Sequence, residues 1–369
     1  MDVIVRDLEK KMVFVVGPRQ VGKTWLAREI GKSFAHTIYL NYDSLEDRAI
    51  IQRAAWPPET ELLILDEIHK MRQWKNFIKG IYDTKGEQMR ILVSGSASLD
   101  EHRKMGDSLT GRYFVHHMLP FSLAELVGTD EEGNLKRLLE RGGFPEPFLA
   151  TSVDDALRWR TLYTESMLRT DVLDFASIGD MRAMRDVFEL LRRGVGAPVS
   201  YSSLSRSVGV SPVTVKRYIA IFEALYLVFL VRPYTRKIAR AILKEPKIYF
   251  FDTGLVAEGG GARLENLVAL SLLKHVQHRA DARGLVGSLG YLRTKEGKEA
   301  DFTLTDEAHN LTQIIEVKQS DYAPSKNVLY FSRKYNVPGV QIVGSLRNDF
   351  VAGPVRVSDA ARYLKGLEA

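Results

Sequence analysis

The apolar run KMVFVV, residues 11–16, passes directly into GPRQVGKT, residues 17–24, and then into TWLAREIGKSF. Strand, glycine loop and helix follow one another without a spacer, the context that G-x-x-x-x-G-K-[ST] needs to cradle phosphate. Glycines let backbone N–H groups turn inward around phosphate oxygens, and the helix start adds partial positive charge. Gly17, Pro18, Arg19, Gln20, Val21, Gly22, Lys23, Thr24 and Trp25 are therefore the expected nucleotide contacts. Lys23 is placed on the β- and γ-phosphates of ATP, and the Thr24 hydroxyl on Mg²⁺.

Two further strands supply the rest of such a site. ELLILDEIHK, residues 61–70, is apolar and then acidic. At a strand's C-terminal edge Asp66 can hold the Mg²⁺ shell, while Glu67 polarises the attacking water. RILVSGSAS, residues 90–98, ends in small hydroxylated residues, so Ser96, with Ser94 as the alternative, is the expected γ-phosphate sensor. HTIYLNYD and YFVHHML complete five strands alternating with helices, which predicts a parallel sheet covered on both faces. Arg112, in SLTGR, is the candidate arginine finger acting on a neighbouring subunit, with Arg103 as its substitute. His69, His116 and His117 have no ligand-type neighbours and suggest no site.

At 369 residues the chain is too long for one core, and two to four modules are expected. Phe121 to about Arg193 reads as helical, interrupted by RGGFPEPF. Within it Arg169 and Asp171 suit an internal salt bridge better than a contact to nucleotide or to a neighbouring subunit. Residues 202–225 then read as a helix-turn-helix. SSLSRSVGV stops at Gly209, Ser211 is a good N-cap, and Pro212 sits at the first helical position. Val215, Ile219 and Phe222 form one apolar face, leaving Thr214, Lys216 and Arg217 largely outside it. YLVFLVRPY and PKIYFFD follow as the strands of a wing. Such a module contacts DNA, chiefly phosphate, or else another protein. The formal charge of +6 and a pI near 9.2 suit a polyanionic partner without requiring one.

GKEADFTL and TQIIEVKQ flank the polar loop TDEAHN, which predicts a β-hairpin. Its apolar pattern sets Phe302 opposite Ile315 and Ala300 opposite Val317. The other face then pairs Asp301 with Glu316 and Glu299 with Lys318. The second pair is an ordinary ion pair. The first sets like charges opposite one another, with Cβ atoms about 4.5–5.5 Å apart, which Mg²⁺ between them would relieve. Lys318 could then orient an attacking hydroxide.

An acid followed by Glu-x-Lys on the adjacent strand resembles the PD-(D/E)XK nuclease superfamily. That resemblance implies a metal site of Glu265, Asp301 and Glu316, with Glu265 supplied by the helix ARLENLVALSLLKHV. Over nearly the whole length, the order P-loop, DEIHK, SGSAS, LTGR, LPFSLAEL, GGFPEPF, helix-turn-helix, KIYFFDTGL, LEN, EADF and IEVKQ resembles a family of bacterial and archaeal AAA+ ATPases. These carry a winged helix and a C-terminal PD-(D/E)XK nuclease-like domain of the DUF4143 type. The resemblance implies an α/β fold: an ATPase core over 1–120, a helical lid over 121–193, a winged helix over 194–256 and a restriction-endonuclease-like domain over 257–369. It further implies an Mg²⁺-dependent ATPase coupled to a DNA-directed nuclease, with branched DNA as one substrate. The alternatives are an ATP-controlled switch carrying an inactive nuclease fold, and a remodeller of proteins. A trans-acting arginine implies a homo-oligomer. No cysteine occurs and the longest apolar stretch, 224–231, is far short of a membrane span, so a soluble cytoplasmic protein is expected.

Overall fold

Met12–Val16 (β1) is buried along its whole length, as a parallel strand covered on both faces must be. The computed structural model describes residues 1–95, 109–172, 179–235, 245–257 and 259–369, without the side chains of 170 and 171. These divide into two compact units, Met1–Leu119 and Pro120–Ala369.

In the first unit β1 lies between Arg90–Gly95 (β4) and Tyr113–His117 (β5), with Leu62–Asp66 (β3) and Thr37–Asn41 (β2) beyond β4. All four pairings are parallel, so the five-stranded sheet expected from the sequence is present. Alternation divides the core cleanly. Met12, Phe14 and Val16 point with Leu63, Leu65 and Val93 toward the helix Trp74–Thr84, while Val13 and Val15 point with Ile64 and Leu92 toward Lys23–Gly31. Because the strands are parallel, β1, β3 and β4 all deliver their C-terminal ends to one edge, with Asp66 level with Ser94 and Val16 level with Gly95. That edge is where open α/β sheets place their ligands.

The second unit begins with helices Leu135–Arg141, Pro145–Leu149, Val153–Ser166 and Met181–Arg193. A helical pair follows, Tyr201–Val208 and Pro212–Ala224. Gly209 closes the first helix with φ at 73°, and the Ser211 side chain caps the second through the Thr214 N–H. Val215, Ile219 and Phe222 are buried, while Lys216 and Arg217 are exposed.

Eight strands form one sheet: Val228–Pro233 (β6), Lys247–Phe250 (β7), Ser288–Arg293 (β8), Glu299–Thr305 (β9), Leu311–Lys318 (β10), Gly339–Val343 (β11), Phe350–Ala352 (β12) and Val355–Asp359 (β13). Their order is β12-β13-β11-β10-β9-β8-β6-β7. The β6–β7 hairpin therefore continues the C-terminal sheet, through Arg232 and Pro233 alongside Gly290 and Tyr291. The long helix Gly260–Arg283 is tied to β7 by Asn266, which accepts from the Phe250 N–H at 2.8 Å and donates to the Phe250 carbonyl at 2.9 Å. An edge strand thus gains a side-chain partner for its exposed backbone. Among the described residues, no helix is long and apolar enough to cross a membrane.

The β9–β10 register is the expected one from Gln313–Leu304 to Ile315–Phe302, and there the ladder stops. Asp301 ends it. Its carboxylate accepts the Val317 N–H at 2.8 Å, standing where a carbonyl of the neighbouring strand would otherwise be. The expected facing of Asp301 with Glu316 and of Glu299 with Lys318 is therefore corrected. Glu299 remains in the sheet as the partner of Arg293 on β8.

Candidate functional site

Gly17 approaches Met118 so closely that a Cβ there would lie 2.1 Å from the Met118 carbonyl oxygen. Gly22, at φ 102°, starts the helix whose first residue is Lys23. Between them Gln20 adopts φ 60°, a left-handed conformation uncommon for a residue with a side chain. Such left-handed turns are what a phosphate-cradling loop needs. Lys23 is 7% exposed and donates to the carbonyls of Gly17 at 3.0 Å and Pro18 at 2.5 Å. Burial pulls its ammonium down to about 8, against the opposing pull of Glu67 and Asp66.

Asp66 is 3% exposed and accepts three hydroxyls: Thr24 and Tyr39 on Oδ2 and Ser94 on Oδ1, each at 2.8 Å. Burial first, and then the bond to Asp66, push the Tyr39 phenol up to about 12. Glu67 stands at φ 55°, and its N–H donates to the Ser94 carbonyl at 3.0 Å. Burial raises the Glu67 carboxyl, while Lys70, 3.6 Å away, pulls it down. His69 lies at the same 3.6 Å from Glu67, and Lys70 also bonds Asp43 at 2.5 Å. Loop, lysine, hydroxyl and two acids therefore converge on one edge of the sheet. Trp25, in the first turn of the helix, is 66% exposed.

Ser94 meets Asp66, whereas Ser96 and Arg103 lie outside the described residues. Arg112 precedes β5 at the N-terminal edge of the sheet, opposite the loop, and its guanidinium bonds Asp83 at 2.8 Å and 3.2 Å. Arg169 is exposed; the side chain of Asp171 lies outside the described residues. Tyr39 and Lys70 were not expected. Tyr39 could have been found as the polar-tipped residue near the end of the strand beside β3.

The second unit holds a separate charged cluster. Lys318 bonds Glu316 on its own strand at 2.8 Å rather than Glu299. The partner of Glu299 is Lys247, at 2.7 Å, a residue the sequence reading passed over as the start of an apolar strand. Lys247 is 1% exposed and lies 3.4 Å from Asp301 and 3.5 Å from Glu265. Tyr249 donates to Glu265 at 2.7 Å. Burial, reinforced by Asp301, pushes Glu265 and Glu316 each up to about 7. Glu316 is 4% exposed, and its Oε2 has no hydrogen-bond partner among the described residues. Asp301 thus acts electrostatically on both Glu265 and Glu316. Among the described residues, however, no three acidic or histidine side chains are arranged to hold a metal ion. Mg²⁺ does not fit this cluster as it stands, because a buried ammonium already lies among its carboxylates.

Residues 9–127 match an AAA domain family, and residues 132–263 match a domain of unknown function, DUF8612. Two uncharacterized proteins, Mb2031c of Mycobacterium bovis and Rv2008c of Mycobacterium tuberculosis, are each 28% identical to the chain over 246 residues. The match covers 66% of this chain and 55% of theirs, so the chain spans about half the length of these curated relatives. Among solved structures, a Walker-type ATPase of Pyrococcus abyssi aligns with a TM-score of 0.43 and 12% identity, over 69% of this chain and 93% of that one. A RuvB variant of Thermotoga maritima gives 0.34 and 16%, over 66% and 92%. The ORC1 protein of Aeropyrum pernix in complex with DNA gives 0.33 and 12%, over 72% and 91%. The phosphate loop, its acidic partners and the family match together mark residues 9–127 as an AAA domain.

Proposed function

We propose that the chain is an Mg²⁺-dependent ATP phosphohydrolase whose nucleotide state controls its second unit. The observation that carries this reading is the convergence of Lys23, Thr24, Asp66 and Glu67 on one sheet edge. Thr24 and Asp66 are hard oxygen donors suited to Mg²⁺, which screens the phosphate charge during transfer. Lys23 would hold the β- and γ-phosphates, and Ser94 keeps Asp66 in place. Glu67 is the group positioned to take a proton from water. Calorimetry tests this directly. Lys23→Ala should lose ATP binding, and Glu67→Gln should bind ATP without turning it over; tight binding by Lys23→Ala would sink the reading.

For the second unit we propose a binding platform, with DNA as its partner. Lys216 and Arg217 are exposed on the Pro212–Ala224 helix, whose capped N-terminus suits phosphate. In this reading the unit divides into lid, winged helix and nuclease-like domain. The protein works in the cytoplasm as a homo-oligomer, and Arg112 acts in trans. The test is the ATPase rate with and without linear and branched DNA, over a range of salt. Stimulation by protein alone would point to a remodeller instead.

A second reading is metal-dependent DNA cleavage by Glu265, Asp301, Glu316 and Lys318, which requires the Lys247 ammonium to leave the cluster; the unpartnered Glu316 oxygen beside Lys318 is the observation in its favour. Incubation with Mg²⁺, ATP and linear, flapped and four-way DNAs decides it. Cleavage that is absent, or that survives in Glu316→Ala, removes it.

A further inference from the structure

We propose that Lys247 is the resident cation of the acidic cluster in the second unit, occupying the position a divalent ion would need. The cluster would then bind no metal in the wild-type protein. An ammonium has three N–H donors. Here three carboxylates from two different elements lie around it: Glu299 and Asp301 on β9, at 2.7 Å and 3.4 Å, and Glu265 on the long helix, at 3.5 Å. The lysine itself comes from β7, so the contact joins that strand to the helix Gly260–Arg283 and to β9. Its side chain is 1% exposed, which leaves the ammonium no route to water unless these elements separate.

The surroundings are built for a fixed positive charge. Tyr249 donates to Glu265 Oε1, the same oxygen that faces Lys247. Asp301 uses its second oxygen on the Val317 N–H, and Glu299 also faces Arg293 at 3.7 Å. Gly196, with φ at 85°, lies so close to Glu265 that a Cβ would stand 2.7 Å from its carboxylate, so only glycine leaves room for the acid there. A divalent ion entering here would meet like charge at contact distance and would need two of these acids to abandon existing partners. Glu316 is the acid outside the Lys247 contacts. It pairs with Lys318, and Ser325 donates weakly to it at 3.4 Å. This inference does not depend on the ATPase reading, and it bears against the nuclease reading.

The test is Mn²⁺ binding to the full-length, nucleotide-free protein, followed by electron paramagnetic resonance of the free ion. Wild type and Asp301→Asn should bind Mn²⁺ alike, with no site that the substitution removes. Lys247→Met keeps the bulk and deletes the charge. It should gain one Mn²⁺ site per chain, at least tenfold tighter than any background, which Asp301→Asn in the same chain abolishes. A stoichiometric wild-type site lost in Asp301→Asn would overturn the proposal. A folded Lys247→Met that gains no site would overturn it too. If Lys247→Met does not fold, the comparison of wild type with Asp301→Asn decides alone.

Discussion

Thr24 and Asp66, 42 residues apart in the chain, are joined by a 2.8 Å hydrogen bond at the C-terminal edge of the first sheet. The bond keeps the Thr24 hydroxyl and the Asp66 carboxylate adjacent, and Tyr39 and Ser94 fix the acid from two further directions. Thr24→Val removes one oxygen donor from this pair and leaves the loop backbone as it is. ATP affinity measured in EDTA should be unchanged, while the gain on adding Mg²⁺ should disappear. Filter binding in the two conditions checks this, and a preserved Mg²⁺ effect would exclude Thr24 as a ligand.

Lys23 gives a prediction in pH. Burial holds its ammonium at about 8, well below an ordinary lysine, and a bound phosphate would restore a higher value. The free protein therefore carries fewer protons than the complex above pH 8, and binding must take protons up. Affinity should be nearly flat from pH 6 to 7. Above pH 8 it should fall by up to about tenfold per pH unit, until the value of the complex is reached. Calorimetry in buffers of different ionisation enthalpy reads the uptake. Proton release on binding at pH 9 would contradict it.

The convergence of loop and acids on one sheet edge was legible because its parts are local. MVFVVGPRQVGKT, LLILDE and RILVSGS each carry strand and candidate site residue in one short run, so spacing alone placed Lys23, Asp66 and Glu67 at a common edge. The hairpin register was legible for the same reason, up to Ile315 and Phe302. It failed at Asp301, where a side chain replaces a backbone partner, an event that alternation does not encode. Lys247 was hidden for a different reason. The pairing of Arg232 with Gly290 makes β6, β7 and the C-terminal strands one sheet. Without that order, nothing in PKIYFFD says which acids its lysine will meet. Once they meet, a fully buried lysine takes Glu299 ahead of Lys318, which stands 37% exposed and can still be hydrated.

Glu67 should be the proton acceptor, and Lys70 should set its working range. Glu67→Gln should slow hydrolysis by about 10²–10⁴ while leaving ATP affinity within a few-fold. Burial raises this carboxyl and Lys70 lowers it. Lys70→Ala should therefore move the acidic limb of the kcat profile to higher pH. A limb that stays in place, or shifts to lower pH, would show that Lys70 does not act through Glu67.

Arg160 and Asp252 are the buried ion pair that ties the helices of the second unit together. The guanidinium donates to Asp252 at 2.7 Å and to the Arg141 carbonyl at 2.8 Å, and both side chains are almost fully buried. Arg160→Met leaves an uncompensated buried carboxylate, which costs about 3–5 kcal/mol. In a unit of this size that lowers the unfolding midpoint by roughly 10 °C. Gly142→Ala should act on the same contact. Gly142 has φ at 76°, and a Cβ would lie 1.9 Å from an Asp252 oxygen. The expected loss is more than about 1 kcal/mol. Calorimetric scans resolve both, and an unchanged midpoint in Arg160→Met would rule out a structural role for the pair.

The acidic cluster should make the second unit less stable as pH rises across the neutral range. Glu265 and Glu316 titrate at about 7 in the folded chain, because burial and the charge of Asp301 oppose ionisation. In the unfolded chain both return to the ordinary 4.5. Between these values the folded state holds more protons than the unfolded one, so unfolding releases protons and stability declines with rising pH. The penalty is absent below about 4.5 and complete above about 7. Most acid-sensitive proteins show the opposite slope, since their carboxylates are usually stabilised by folding. Glu316→Gln removes one of the two titrations, and its thermal midpoint should fall less than that of wild type between pH 5 and pH 8. The midpoints of both proteins, taken on the transition that Arg160→Met displaces, read the difference. A wild-type midpoint that rises across this window would refute the assignment.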